Sequence, residues 1–395
     1  MNKDKKIWGY GRNVFFAGLV SLFMDMSSEM AYPLIALFLA DVLLVTMTTV
    51  GIIEGIAEST ASLLKVFSGY ISDLTKKRKP LMAMGYSVST ASRLLLYYAM
   101  SSATVMVARF TDRVGKGLRS APRDALIADS VPKEELGRSF GFHRAMDTVG
   151  AIIGPGIALI VLAMTNDDIR SVFLASFVPG LIAVAIIFIF IKEKKEDKPH
   201  DTHKHQKLKI TLRGMSKEFK TYIVTVGLFS LATISDAFLI LRSSELGLTL
   251  VQIPLIYLIY NTVYALTSIP FGHLGDKIGL RPLISGGFLT YSLVLIGFAF
   301  AQTALHVWIL FIFYGLYKGI SDGAQRAYVG KLCDEHNKGT AFGVFHTVTG
   351  LMLLPASIGA GFIWDKWGVF YTFTLASAVA FSALVLFILT SREKQ

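Results

Sequence analysis

The chain has 395 residues, 53% hydrophobic and only 17% charged, with a mean hydropathy of +0.54. Soluble domains carry about a quarter charged residues, so two or three soluble domains of this total length are excluded. The net charge of +11 lies in short clusters between apolar runs, which excludes a nucleic-acid face, and the single Cys333 excludes a disulfide framework and a cysteine metal site.

A membrane-spanning helix needs about 20 mostly apolar residues, and twelve such stretches follow one another. The first, near 13–40, comes after Lys3, Lys5, Lys6 and Arg12 and holds Asp25 and Glu29 on one helical face. It is too long for the apolar region of a cleavable signal and is read as an anchor. The second, 47–71, holds Glu54 and Glu58 at the same spacing. Lys76, Lys77, Arg78 and Lys79 lead into the third, 80–100, which contains Arg93. The fourth, 103–127, places Arg109, Arg113 and Lys116 at helical spacing, then Arg119 and Arg123. The fifth, 137–164, adds His143, Arg144 and Asp147, and the sixth is 169–191. Their charges predict poor hydropathy scores for 103–127 and 137–164.

The polar stretch 192–217 is dense in Lys and His and reads as a linker; His200, His203 and His205 are assigned to its solvated face rather than to a metal. The second half continues with 218–243, containing Asp236, and 249–272, with Tyr257, Tyr260, Asn261 and Tyr264 on a polar-aromatic face. Spans 282–301 and 304–329 follow, the latter with Tyr314, Tyr317, Lys318, Asp322 and Arg326. Spans 338–363, with His346, and 368–390 close the chain before Arg392 and Lys394. The expected fold is all-α, twelve spans in two six-helix bundles, divided as 1–191, linker 192–217 and 218–395. The opposite loops hold little beyond Arg170 and Lys366, so the positive-inside rule puts both termini and the linker in the cytoplasm.

The halves repeat. Gly117 falls 202 positions before Gly319, and the same offset carries Gly137-Arg-Ser-Phe140-Gly141 onto Gly339-Thr-Ala-Phe342-Gly343. One position further out, Gly69-Tyr-Ile-Ser-Asp73 falls on Gly272-His-Leu-Gly-Asp276. Such a duplication puts a pathway between two bundles.

Gly69-Tyr-Ile-Ser-Asp73-Leu-Thr-Lys76-Lys77-Arg78 and Gly272-His-Leu-Gly-Asp276-Lys277-Ile-Gly279-Leu-Arg281 resemble the Gly-x-x-x-Asp-Arg-x-Gly-Arg-Arg loop of the major facilitator superfamily. Leu74 and Lys76 stand where that pattern has Arg and Gly. Arg109-Phe-Thr-Asp-Arg113-Val-Gly115-Lys-Gly117 is similar to the family's Arg-x-x-x-Gly-x-Gly-x-Gly segment, with Arg113 in place of a Gly. Gly150-Ala-Ile-Ile-Gly154-Pro155-Gly156 resembles its Gly-x-x-x-Gly-Pro-x-x-Gly motif, associated with exporters and antiporters, with the last Gly displaced. The resemblance implies a secondary transporter whose spans 1, 4, 7 and 10 line a central cavity; here those spans carry the most deep charge.

Ionisable groups at membrane depth are expensive and so are functional candidates. Arg109, Arg113, Arg144 and Lys318 suit carboxylate or phosphate groups, and with Asp236, Tyr257, Asn261 and Tyr314 form the expected solute site. Asp25, Glu29, Asp147 and Asp322 are the candidate proton carriers. Asp112–Lys116 and Arg144–Asp147 are possible local pairs, and Glu54 and Glu58 possible partners of Arg93 or Arg109. Gly69, Asp73, Arg78, Gly272, Asp276 and Arg281, with Gly154 and Pro155, are expected at gates and close helix contacts. No His-Glu-x-x-His helix, Gly-x-Ser-x-Gly elbow or phosphate-cradling loop occurs, so neither an enzyme nor an ATP-driven pump is expected. No cofactor and no metal are expected. The expected protein is a monomeric, proton-coupled carrier of the bacterial inner membrane for a small anionic organic solute or metal-chelating metabolite. A proton-driven exporter of amphipathic compounds is the alternative, and a non-transporting membrane sensor the second.

Overall fold

A computed structural model describes residues 7–75, 77–193, 215–333 and 338–391, apart from the side chains of Asp73, Lys133 and Lys338. His200, His203 and His205 lie outside the described residues. The helices of the first half are α1 (Arg12–Leu37), α2 (Met47–Thr75), α3 (Arg78–Tyr97), α4 (Ser102–Asp129), α5 (Leu136–Met164) and α6 (Ile169–Phe190). Those of the second half are α7 (Lys217–Ala232), α8 (Asp236–Glu245), α9 (Gln252–Ile278), α10 (Leu280–Phe300), α11 (Ala304–Lys331), α12 (Lys338–Trp367) and α13 (Val369–Thr390). With α7 and α8 counted as one broken span, these are the twelve predicted crossings, in the two six-helix bundles expected. The described residues contain no β-strand.

Among the described residues, nine of the crossings are long and apolar enough to span a bilayer by composition alone; α2, α3 and α4 are not among them. The fifth span departs from expectation: the best window of Leu136–Met164 has a hydropathy of 1.9. Its charged residues, Arg138, His143, Arg144 and Asp147, all fall in its first twelve positions, which leaves an uninterrupted apolar stretch after them. Large apolar side chains on the outer faces, among them Ile269 at 71% exposed and Phe188 at 59%, suit lipid rather than water.

Helix ends follow local chemistry. Ser101 accepts from Thr104 N at 3.3 Å at the start of α4, and Asp168 from Arg170 N and Ser171 N, each at 3.1 Å, at the start of α6. Gly279 and Gly368 have φ of 89° and 91° and are the single residues between α9 and α10 and between α12 and α13. A side chain at either would strain the reversal.

The chain forms two compact units, 1–32 with 63–208, and 33–62 with 209–395. In the first, α3 packs chiefly on α4 and α6, around a core that includes Val20, Met24, Met82, Tyr86 and Leu126. Close approach depends on missing side chains: a Cβ on Gly85 would lie 2.7 Å from Gly115 O, and one on Gly154 2.6 Å from Met26 O. In the second unit α11 packs on α9 and α10, α13 on α10 and α7, and the first part of α2 lies along α12. There Asp365 accepts from Met47 N at 3.0 Å and Thr48 N at 2.8 Å, capping α2 from α12.

The span expected as one helix over 218–243 is broken at 233–235. Ser235 caps α8 by accepting from Ala237 N at 3.3 Å, which ends the continuity with α7. The carbonyl freed at Ala232 accepts from Tyr291 OH at 3.2 Å, so the break leaves it satisfied.

Candidate functional site

In the first unit, α4 carries its arginines at intervals that turn them to one side, and α3 brings Arg93 against it. Three guanidiniums converge on Asp112: Arg93 Nη2 on Oδ1 at 3.0 Å, and Arg109 Nη1 and Arg113 Nε at 3.8 and 3.9 Å from Oδ2. Arg93 and Arg109 are each 1% exposed. Arg93 also donates to Ser28 Oγ at 3.1 Å, and Arg109 and Arg113 lie over the Tyr32 ring at 5.1 and 5.8 Å. Arg93 is thus held by Asp112 and Ser28. Further along α4, Arg119 donates to Ser89 Oγ and lies 4.7 Å over the Tyr86 ring, while Arg123 pairs with Asp124 at 2.9 Å.

Beside this cluster, His143 Nδ1 is 3.6 Å from Asp147 Oδ2, and Arg144 Nη1 is 3.9 Å from the same oxygen. His143 Nε2 and Asp147 Oδ1 are buried and make no hydrogen bond among the described residues. Asp25 lies within the electrostatic reach of Asp147, Lys116, Arg119 and Glu29. Thus Asp25, Glu29 and Asp147 share one region of the first unit. Arg144 is instead exposed on its surface.

In the second unit a tyrosine cage surrounds Asp236, the first residue of α8. Tyr257 OH donates to Asp236 Oδ2 at 3.2 Å, and Tyr314 OH donates to Oδ1. Tyr260 stacks on Tyr314 with ring centroids 5.0 Å apart, and Lys318 Nζ lies 5.7 and 5.8 Å from the rings of Tyr314 and Tyr317. Asn261 is buried on α9 beside these residues. A separate cavity of about 200 Å³ opens between α7, α11 and α12, with Thr233 of the break on its wall. Asp322, paired with Arg326 at 3.6 Å, lines it. The sequence marks Asp322 as a candidate proton carrier and Arg326 as a charge of the same span, but not the cavity, because α7 and α12 complete its wall from distant parts of the chain.

The residues expected at gates sit as follows. Arg78 is buried, with Nε 3.3 Å from Asp129 Oδ2 and Nη1 donating to Ser72 Oγ at 2.6 Å. Glu193 accepts from Arg78 N and Lys79 N, each at 2.9 Å, at the start of α3. The Asp73 side chain lies outside the described residues. A Cβ on Gly69 would be 3.3 Å from Ala121 Cβ. Asp276 is exposed, Gly272 has open space about it, and Arg281 Nε donates to Tyr328 OH at 3.4 Å. Gly154 and Pro155 are buried on α5, where Gly154 meets the backbone of α1.

A family model described as Major Facilitator Superfamily matches residues 17–242 and 221–395. An uncharacterized MFS-type transporter of Methanocaldococcus jannaschii is 35% identical over 385 residues, covering 95% of each chain. The proton-coupled antiporter flippase LtaA of Staphylococcus saprophyticus is 22% identical, covering 88% of this chain and 86% of its own. Among solved structures, a POT family transporter in complex with 5-aminolevulinic acid superposes with a TM-score of 0.81 over 98% of both chains at 13% identity.

Proposed function

The chain belongs to the major facilitator superfamily, a multi-pass membrane transporter, and we propose that it couples protons to the movement of a small organic anion, a carboxylate- or phosphate-bearing metabolite or metal chelator. The observation that carries this reading is the convergence of Arg93, Arg109 and Arg113 from two helices at membrane depth. Guanidinium forks match carboxylate and phosphate geometry, and arginine stays charged where a lysine would lose its proton. Arg144 in the first unit, and in the second Lys318 and the Asp236 cage with Tyr257, Asn261 and Tyr314, are further candidates for solute contact, each within its own unit.

Proton carriage falls to Asp25, Glu29 and Asp147. Asp147 has a buried carboxylate oxygen without a hydrogen-bond partner among the described residues, beside an imidazole nitrogen in the same condition. Protonation of Asp147 turns a carboxylate that only accepts into one that also donates. Similarity to a proton-coupled antiporter supports proton coupling as such. The carrier alternates access by rocking its halves. Gly69, Asp73, Arg78, Gly272, Asp276 and Arg281 act at the loop ends, and Gly154 and Pro155 at the α1–α5 contact. It works as a monomer in a bacterial inner membrane, with both termini cytoplasmic as the lysine clusters direct.

The test uses proteoliposomes holding a pH-sensitive dye, an imposed proton gradient, and a panel of small carboxylates and phosphates. Proton flux that depends on the anion, and that falls at least tenfold in Arg109→Gln and Arg113→Gln, supports the reading. Flux driven equally by uncharged solutes, or unchanged in both variants, refutes it. The tyrosine cage favours one second reading, proton-driven export of amphipathic cations: gradient-dependent extrusion of ethidium without any anion flux would establish that instead.

A further inference from the structure

The cavity of the second unit carries a more specific message than the arginine cluster. Asp322 and Arg326 stand one helical turn apart on α11 and line it together. Their side chains are 38% and 48% exposed, so this ion pair is open to whatever fills the cavity. The pair is also incompletely used. Arg326 Nε donates to Asp322 O at 3.0 Å, and Nη2 meets Asp322 Oδ2 at 3.6 Å, where Tyr264 OH also donates at 3.3 Å. Asp322 Oδ1 and Arg326 Nη1 make no hydrogen bond among the described residues. One acceptor and one donor of opposite charge therefore remain on neighbouring turns of the same wall. Phe229, Tyr317 and Phe345 supply aromatic surface around them.

We propose that this cavity binds a small zwitterion with an aromatic or planar body, its ammonium on Asp322, its carboxylate on Arg326, and its body against Phe229, Tyr317 and Phe345. A lone anion on Arg326 would sit beside the Asp322 carboxylate and be repelled. A lone cation on Asp322 would meet the Arg326 guanidinium. A solute with both charges close together satisfies each partner and leaves the net charge of the wall unchanged. The volume of about 200 Å³ suits one amino-acid-sized molecule. The proposal rests on the transporter reading and narrows its solute to a carboxylate bearer that also carries an ammonium group.

Three probes share one aromatic body: phenylalanine, phenylpropionate, which lacks the ammonium, and phenethylamine, which lacks the carboxylate. Calorimetric titration of the purified full chain is expected to show phenylalanine binding at least tenfold more tightly than either analogue. Asp322→Asn should erase its advantage over phenylpropionate, and Arg326→Gln its advantage over phenethylamine. An analogue that matches phenylalanine on the wild type, or binding by none of the three, overturns the proposal, and this comparison decides even if a variant fails to fold. Preferences that persist in well-folded variants also overturn it. Uptake of the same probes into proteoliposomes separates the two readings. Flux of phenylpropionate without phenylalanine removes the zwitterion and keeps the carrier; tight phenylalanine binding with no flux of any probe keeps the site and removes the proton-coupled carrier.

Discussion

Asp112→Asn tests the electrostatic centre of the first unit. The carboxylate it removes is 5% exposed at its side chain and is shared by three arginines, two of them 1% exposed. Asparagine keeps the shape but presents an amide in place of a full negative charge. Breaking a buried ion pair by deleting one partner costs about 3–5 kcal/mol, because the remaining charge stays desolvated without its counterion. For a unit of this size that corresponds to a fall of about 10 °C in apparent melting temperature. The control is Arg144→Gln. That side chain is 56% exposed, and its 3.9 Å contact with Asp147 is a surface-type pair whose loss costs about 0–1 kcal/mol. Scanning fluorimetry of purified protein in one detergent compares the two. The double variant Arg93→Gln with Asp112→Asn should lose less than the sum of the two single losses, since removing both partners of the 3.0 Å contact strands neither. A melting temperature of Asp112→Asn within 2 °C of wild type, or strict additivity in the double variant, would refute the claim that Asp112 holds the arginines together.

Two other substitutions probe backbone contacts. A Cβ on Gly150 would collide with Leu22 O, so Gly150→Ala is expected to reduce the yield of monodisperse protein severalfold, whereas Gly141→Ala, which meets nothing within 4 Å, should express normally; equal yields would contradict the α1–α5 contact. Asp365→Ala removes the acceptor for Met47 N and Thr48 N, with a cost of about 1 kcal/mol, and should speed hydrogen exchange at the start of α2; unchanged exchange would show that the cap is not formed.

The crossings were legible because hydrocarbon admits only helices of a fixed minimum length, and that constraint is written directly into the apolar runs. α4 was not legible that way. Its arginines lower its hydropathy, and the match of Gly117 with Gly319 was needed to recognise it. The break at 233–235 contains neither Pro nor Gly; besides the local Ile234 N, the freed Ala232 carbonyl accepts from Tyr291 OH of α10, and nothing local announces that second partner. The same distinction governs the polar residues. The helical spacing of Arg109, Arg113 and Lys116 could be read directly. That Asp112 gathers Arg93 from another helix depends on the packing of α3 on α4, which Gly85 and Gly115 permit. Asp365 meets residues 317 and 318 positions away in sequence, beyond the reach of any local pattern.

The repeat shows how the halves came to hold charge differently. At the offset of 202, Lys116 and Gly117 fall on Lys318 and Gly319, so this part of the helix is retained. Arg109, Asp112 and Arg113 fall on Phe311, Tyr314 and Gly315. Gly315 lets α11 approach α9 until a Cβ there would lie 2.7 Å from Tyr260 O, a space that an arginine could not leave empty. Tyr314 then donates to Asp236 where its counterpart Asp112 accepts from arginines. One half therefore stabilises its buried carboxylate with opposite charge, the other its half-buried carboxylate with phenol donors. The consequences of substitution differ accordingly. Losing Asp112 strands whole charges and acts first on the amount of folded protein, whereas Tyr314→Phe withdraws one hydrogen bond while Tyr257 still donates to the same carboxylate. Transport defects in the arginine cluster thus become evidence about solute recognition only after division by folded protein, while those in the tyrosine cage require a much smaller correction.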